Sequence, residues 1–226
     1  MLEKPMTLIV SIITPEGIAA AGDSQACWQI TKDQQSDWLP ISRTARKLFL
    51  LKNGWSIGFS GTICSPGYNW CLEMVHHADE LLNSEVYQHI DALLDELGEY
   101  AKKNSVNISF LISGYEGPDR ACFARHGVVQ DGTFTKDGRH DCGIWLIGLK
   151  EIYDRLNQGN VDNKCNMMPL SDAVGYVKFL IEATELQLFF EGRYGVCRPA
   201  DVILIPKYGK SRYLQQKEIY TEEYYE

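Results

Sequence analysis

The chain has no CxxC pair, no dense run of basic residues and no G-x-x-x-x-G-K-[ST] loop. Nor does any apolar stretch approach the ~20 residues that a membrane helix needs. Each absence removes a class. The seven cysteines (Cys27, Cys64, Cys71, Cys122, Cys142, Cys165, Cys197) are odd in number and scattered, and no His follows Cys142 or Cys165 at ligand spacing. They read as reduced thiols in a cytosol-like compartment, not as a disulfide framework or a metal site. The opening MLEKPMTLIVSII lacks the basic and long apolar regions and the small-residue cleavage site of a secretory signal. A soluble, cytoplasmic protein is expected. Lys and Arg total 22 against 30 Asp and Glu, a net charge of −8, so neither nucleic acid nor an anionic membrane is an expected partner. Nothing calls for a cofactor. His76 and His77 are adjacent, which on a helix points them about 100° apart, and no metal is expected there.

What is present is ordinary globular composition: 226 residues, 45% hydrophobic and 23% charged. A chain of this size buries roughly 70% of its unfolded surface and needs no staple. Neither an internal repeat nor a linker interrupts it, so one domain is expected. Residues 7–13 and 18–21 are two apolar runs across Thr14-Pro15-Glu16-Gly17, a hairpin buried on at least one face. Residues 46–51 and 55–59 flank Lys52-Asn53-Gly54, the strongest short hairpin signal in the chain. Between these hairpins, residues 28–44 read as polar and irregular, with Trp28 and Trp38 as anchors.

Helical spacing follows at 69–82 (Trp70, Met74, His77, Leu81) and at 85–102 (Val86, Ile90, Leu93, Leu94, Leu97, Tyr100). Ile108–Tyr115 and Arg120–His126 read as a strand pair, residues 137–143 as a Gly/Asp-rich loop, and Gly143–Gly148 as a strand. A short helix at 150–157, a helix at 173–189 capped by Ser171 and a last strand at 201–205 complete the order, before an acidic, tyrosine-rich tail at 222–226. Strands and helices that come in groups favour an α+β fold, sheet on sheet with helices outside, over alternating βαβ units.

Three segments look chemical in this order: Thr7-Leu8-Ile9-Val10-Ser11, Ala21-Gly22-Asp23-Ser24-Gln25-Ala26, and Lys47-Leu48-Phe49 followed by Gly58-Phe59-Ser60-Gly61. In order and spacing they resemble the β-type subunits of the proteasome and the bacterial peptidase ring that works with a hexameric AAA+ unfoldase. Those proteins begin their first strand with a processed Thr and place an acidic residue sixteen positions later, as Asp23 follows Thr7. A Lys before two apolar residues and an A-G-F-x-G-like segment then follow, matched by Lys47 and Gly58. The resemblance runs from about residue 7 to about residue 206 and implies a four-layer αββα sandwich of the N-terminal nucleophile hydrolase type. On it, residues 1–6 are an N-terminal extension or propeptide, and residues 7–226 form a single hydrolase domain with its acidic tail.

The chemistry can be argued from the groups. A threonine hydroxyl is a weak nucleophile until a base takes its proton, and a free α-amine on the same residue, with a pKa of ~7.7–8.0, is such a base. That amine exists only once residues 1–6 are removed. Lys47 would steady the developing alkoxide and Asp23 would hold that Lys in place. The Gly58 amide could donate to the oxyanion of the tetrahedral intermediate. The resemblance therefore implies catalytic roles for Thr7, Asp23, Lys47 and Gly58, with Ser24, Ser60 and Glu191 as second-tier candidates.

At two places the sequence departs from the family's pattern. Gly148-Leu149-Lys150 stands where a Gly-Ser-Gly-like turn is usual. Leu188-Phe189-Phe190-Glu191-Gly192 stands where an Asp and a Ser-Gly pair are usual. The implied function is a threonine endopeptidase assembled as a homo-oligomeric ring or double ring, cutting unfolded polypeptides delivered by an AAA+ unfoldase. The alternatives are a catalytically silent ring subunit and a small-amide hydrolase of the same superfold. His140-Asp141-Cys142 suggests a Cys–His nucleophile only if its loop brings thiol and ring together.

Overall fold

The computed structural model describes residues 7–32, 35–65, 68–83, 89–156, 161–193 and 195–215. Along the chain, β1 (Leu8–Ile13) and β2 (Gly17–Gly22) are followed by β3 (Ala26–Lys32), β4 (Gln35–Ser42), β5 (Leu48–Leu50) and β6 (Ser56–Gly61). The short β7 (Cys64–Ser65) and β8 (Tyr68–Asn69) lead into α1 (Trp70–Leu82) and α2 (Ile90–Lys103). Next come β9 (Ile108–Glu116), β10 (Ala121–Gln130), β11 (Thr133–Arg139), β12 (Gly143–Gly148), α3 (Glu151–Leu156) and α4 (Val161–Lys164). A 3₁₀ turn at Cys165–Met167, then α5 (Leu170–Phe190), β13 (Asp201–Pro206) and β14 (Arg212–Gln215), complete it.

The strands form two five-stranded antiparallel sheets, in the orders β12-β1-β2-β13-β14 and β11-β10-β9-β6-β5. All six residues of β1 are buried because the strand is covered on both faces. Leu8, Val10 and Ile12 join a cluster with α5, whereas Ile9 and Ile13 join one shared with the other sheet through Leu48, Leu111 and Ala124. That two-sided burial is why β1 reads as a continuous apolar run without alternation. A third cluster packs α1 and α2 on the second sheet through Met74, Leu93, Leu97, Phe59 and Phe110. Within the layer between the sheets, Ser11 Oγ and Ser113 Oγ lie 2.6 Å apart, so each buried hydroxyl has a partner.

Both predicted hairpins form. Thr14 Oγ1 accepts from the Glu16 and Gly17 N–H groups and its hydroxyl donates to Gly17 O, closing the first turn. Asn53 Oδ1 accepts from Trp55 N, and Gly54 takes the left-handed φ of +89° that the second turn requires.

Other boundaries differ, each for a local reason. Residues 28–44, read as irregular, hold most of β3 and all of β4, which among the described residues pair with each other in a separate two-stranded sheet. The 137–143 loop is shorter than expected because β11 reaches Arg139. As an edge strand with one exposed flank, β11 tolerates Thr, Lys, Asp and Gly and shows no alternation. The edge strand β14 escaped notice for the same reason. α5 starts at Leu170 behind Pro169, not behind Ser171, because Glu16 Oε2 from the first turn accepts from Leu170 N at 2.9 Å. Similarly, Glu116 Oε1 takes the Ile90 N–H at the start of α2. The earlier part of the helix expected at 85–102, with Val86, lies outside the described residues, as does the 222–226 tail. No helix among the described residues is long and apolar enough to cross a membrane.

Candidate active site

The β1–β2 register assembles the site. Ile9 pairs with Gly22 across the antiparallel hairpin, so the next residue out on each strand brings Leu8 beside Asp23. Leu8 N donates to Asp23 Oδ1 at 3.0 Å, and Asp23 N donates to Leu8 O at 3.1 Å. Gln25 N donates to Asp23 Oδ2 at 2.8 Å. Lys47 arrives from the other sheet, one residue before β5, with its carbonyl held by Phe59 N at 2.9 Å. Its ammonium donates to both Asp23 oxygens at 3.1 Å and to Thr7 Oγ1 at 2.9 Å. Thr7, Asp23 and Lys47 are 5%, 0% and 1% exposed. A buried, hydrogen-bonded Lys–Asp pair thus points its remaining donor at the Thr7 hydroxyl.

The Thr7 backbone is fixed independently. Leu149 N donates to Thr7 O at 2.8 Å, directly after Gly148, whose φ is +93°. A Cβ at Gly148 would lie 1.8 Å from Thr7 O, so only glycine admits this approach. The Gly148-Leu149-Lys150 departure therefore keeps a backbone clamp on Thr7. Sequence reasoning did not find Leu149, because a main-chain donor leaves no residue-type signal.

Gly58 sits opposite Leu48 on β5 and Leu111 on β9. The Phe59 N to Lys47 O bond makes Leu48–Gly58 a non-hydrogen-bonded pair, which turns the Gly58 N–H toward Leu111 and away from β5. Its missing side chain matters too, since a Cβ there would meet Ile9 Cγ2 at 2.4 Å.

Ser24 Oγ lies 2.9 Å from Cys197 O and 2.7 Å from Pro199 O, and Ser24 N donates to Cys197 O at 3.1 Å. It ties the exit of β2 to the loop before β13 and does not reach Thr7 Oγ1. Ser60 is buried on β6 with no hydrogen-bond partner among the described residues. Glu191 is an exposed C-cap of α5, bonded to Gln187 Nε2 and Arg193 Nη1, which hold its carboxyl below the usual range. Glu191 is not brought to Thr7. A residue the sequence did not flag, Cys27, stands within electrostatic reach of the site: burial pushes its thiol up, Lys47 pulls it down and Asp23 pushes it up.

Elsewhere, His76 pairs with Glu80 at 3.2 Å and His77 stacks on Tyr100. Among the described residues no group of three His, Cys, Asp or Glu could hold a metal ion. Asp141 is bound by Arg139, and burial followed by the nearby Cys122 raises the Cys142 thiol, the opposite of an activated nucleophile.

No known family profile matches the chain, and no curated protein matches it in sequence. Solved structures do match. One is Anbu, described as an ancestral beta-subunit, from Yersinia bercovieri, with a TM-score of 0.60 and 15% identity over 92% of this chain and 86% of that one. At that identity the likeness concerns the fold: this chain shares, coarsely, the architecture of a proteasome-related protein.

Proposed function

We propose that the chain is a threonine hydrolase of the N-terminal nucleophile type, a proteasome-like peptidase whose nucleophile is Thr7 Oγ1. The single observation that carries this reading is the Lys47 ammonium donating to Thr7 Oγ1 while held by both oxygens of Asp23. The arrangement of two sheets with α1 and α2 on one and α5 on the other supports a four-layer αββα sandwich, and the Anbu likeness supports it too.

In the proposed reaction the Met6–Thr7 bond is cut first, freeing the Thr7 amine. Among the described residues Lys47 is the one side chain bonded to Thr7 Oγ1, and as a donor it cannot take the hydroxyl proton. The freed amine takes that proton while Lys47 stabilises the alkoxide. The alkoxide attacks the scissile carbonyl, the leaving amine departs with the proton, and water then hydrolyses the acyl-threonine. Homo-oligomeric ring assembly, unfolded polypeptide as substrate, an AAA+ unfoldase as partner and a cytoplasmic setting complete the proposal.

A second reading, the silent ring subunit, is favoured by one observation. The Gly58 N–H faces Leu111 within the sheet, so it must leave that ladder before it can donate to an oxyanion. A ubiquitin fusion trimmed to leave Thr7 first separates the readings. The peptidase hydrolyses fluorogenic peptides, and Thr7→Ala abolishes this. The silent subunit gives no turnover whether Thr7 is first or not. A small-amide hydrolase turns over acyl-amides without any chamber-forming assembly.

A further inference from the structure

β6 carries a polar group that the fold leaves unused. Ser60 is 0% exposed, and its hydroxyl has no hydrogen-bond partner among the described residues, its register neighbour Ser109 included. Three other serines of the same layer have partners. Ser11 and Ser113 bond to each other at 2.6 Å, and Ser56 donates to Ser113 O at 3.5 Å. An unpaired buried hydroxyl is destabilising, and an alanine would fill the same place without that cost. Packing alone therefore gives no reason for a serine at this position.

Register places this hydroxyl at the level of Thr7. Two contacts fix how β1 lies on the second sheet. Ser11 meets Ser113, which is the partner of Ser56 on β6. Ile9 lies against Gly58, where an added Cβ would come within 2.4 Å of Ile9 Cγ2. A step of two residues along β1, from 11 to 9, is thus matched by a step of two along β6, from 56 to 58. The next step, roughly 6.6–6.8 Å further, brings Thr7 from one sheet and Ser60 from the other, both facing the layer between them. Thr7 continues the β1 ladder, since its carbonyl accepts from Leu149 N, and its hydroxyl does face the second sheet, since Lys47 reaches it from there.

We propose that Ser60 is a second hydrogen-bond donor to Thr7 Oγ1, engaged once that oxygen carries charge; this rests on Thr7 being the nucleophile. An alkoxide oxygen has three lone pairs. Lys47 takes one, attack on the scissile carbonyl uses another, and the third is open to the Ser60 O–H after a change of staggered rotamer. In the uncut chain the Thr7 oxygen is neutral, and Ser60 stays without a partner. The protons balance as in the reaction above: the Thr7 hydroxyl proton goes to the freed amine, and Ser60 keeps its own proton throughout. Ser60, Thr7 and Lys47 are all buried, so the bond forms in a low-dielectric interior without competing water.

Steady-state kinetics on fluorogenic peptides, with thermal unfolding alongside, test this on Thr7-first protein. Ser60→Ala is expected to lose about 10- to 150-fold in kcat and as much in kcat/KM, with KM unchanged, because the lost bond is made to a charged oxygen and only during reaction. Its Tm should equal the wild type's or exceed it by up to about 2–4 °C, since the hydroxyl removed had no partner. A serine with a purely structural role gives the opposite pattern. A Ser60→Ala that melts lower or does not fold therefore overturns the proposal whatever its rate, as does one with wild-type kcat or with a loss confined to KM. An inert wild type overturns the Thr7 reading and this extension together. An active wild type beside an equally active Ser60→Ala overturns this extension alone.

Discussion

Replacing Asp23 by Asn is the most informative single change, because it alters charge at nearly constant volume. Asp23 uses both oxygens twice: Oδ1 accepts from Leu8 N and Lys47 Nζ, and Oδ2 from Gln25 N and Lys47 Nζ. An asparagine has one oxygen and one NH₂ group, so either flip sets a donor against a backbone N–H and leaves that N–H unpaired. Lys47, 1% exposed, loses its counter-ion at the same time.

Breaking a buried pair from one side costs about 3–5 kcal/mol, and a buried unpaired N–H about 1–3 kcal/mol. The two costs share a network and do not simply add, so about 4 kcal/mol is expected. For a domain of this length that lowers Tm by about 8–16 °C. The double variant Asp23→Asn/Lys47→Met removes both charges and should recover part of the loss. Urea and thermal unfolding monitored by circular dichroism read all three proteins. A Tm for Asp23→Asn within about 2 °C of wild type would mean that the pair is neither buried nor coupled.

Burial first and then Lys150 push His126 down to about 4, against a partial opposing pull from Asp137, so this ring is neutral in the folded chain and charged in the unfolded one between pH 4 and about 6.5. The unfolded state binds the extra proton in that window, so stability falls as pH drops from 6.5 toward 4. His126 accounts for about 2 kcal/mol of that loss between pH 7 and pH 5, and urea titrations of His126→Gln should show that increment missing. Gly148→Ala should unfold the chain or displace Thr7, because its Cβ would fall on Thr7 O at a positive φ. Gly175→Ala, in α5 with nothing within 4 Å of the added Cβ, should instead raise stability by about 0.5–1 kcal/mol on thermal melting.

How much of this was legible beforehand can be read from particular residues. The sixteen-residue interval from Thr7 to Asp23 carries geometric information, because a hairpin turning at Thr14–Gly17 converts it into adjacency across two strands. Lys47 was legible only through the resemblance, as a Lys before two apolar residues; the Asn-Gly turn gave the hairpin it precedes but not its role. By contrast, the clamp on Thr7 O, the Ser24 contacts and the caps from Glu16 and Glu116 rest on backbone groups or on side chains distant in sequence. No local pattern encodes them. The strands β11 and β14 were invisible because edge strands tolerate polar residues on both faces. Glu191 was a misplaced candidate, since the turn after α5 leaves it in solvent against Arg193. The turn of the Gly58 N–H toward Leu111 follows from strand register, which a glycine in a motif does not reveal.

On the proposed reading Thr7 Oγ1 is a nucleophile once its own amine is free. The measurement that tests it most directly is the intact mass of Thr7-first protein after treatment with a peptide epoxyketone, which closes a ring using both the hydroxyl and the α-amine. One reagent added per chain is expected, located on Thr7 by fragmentation, and none on Thr7→Ala or on chains that keep residues 1–6. A folded, Thr7-first protein that stays unmodified would contradict it.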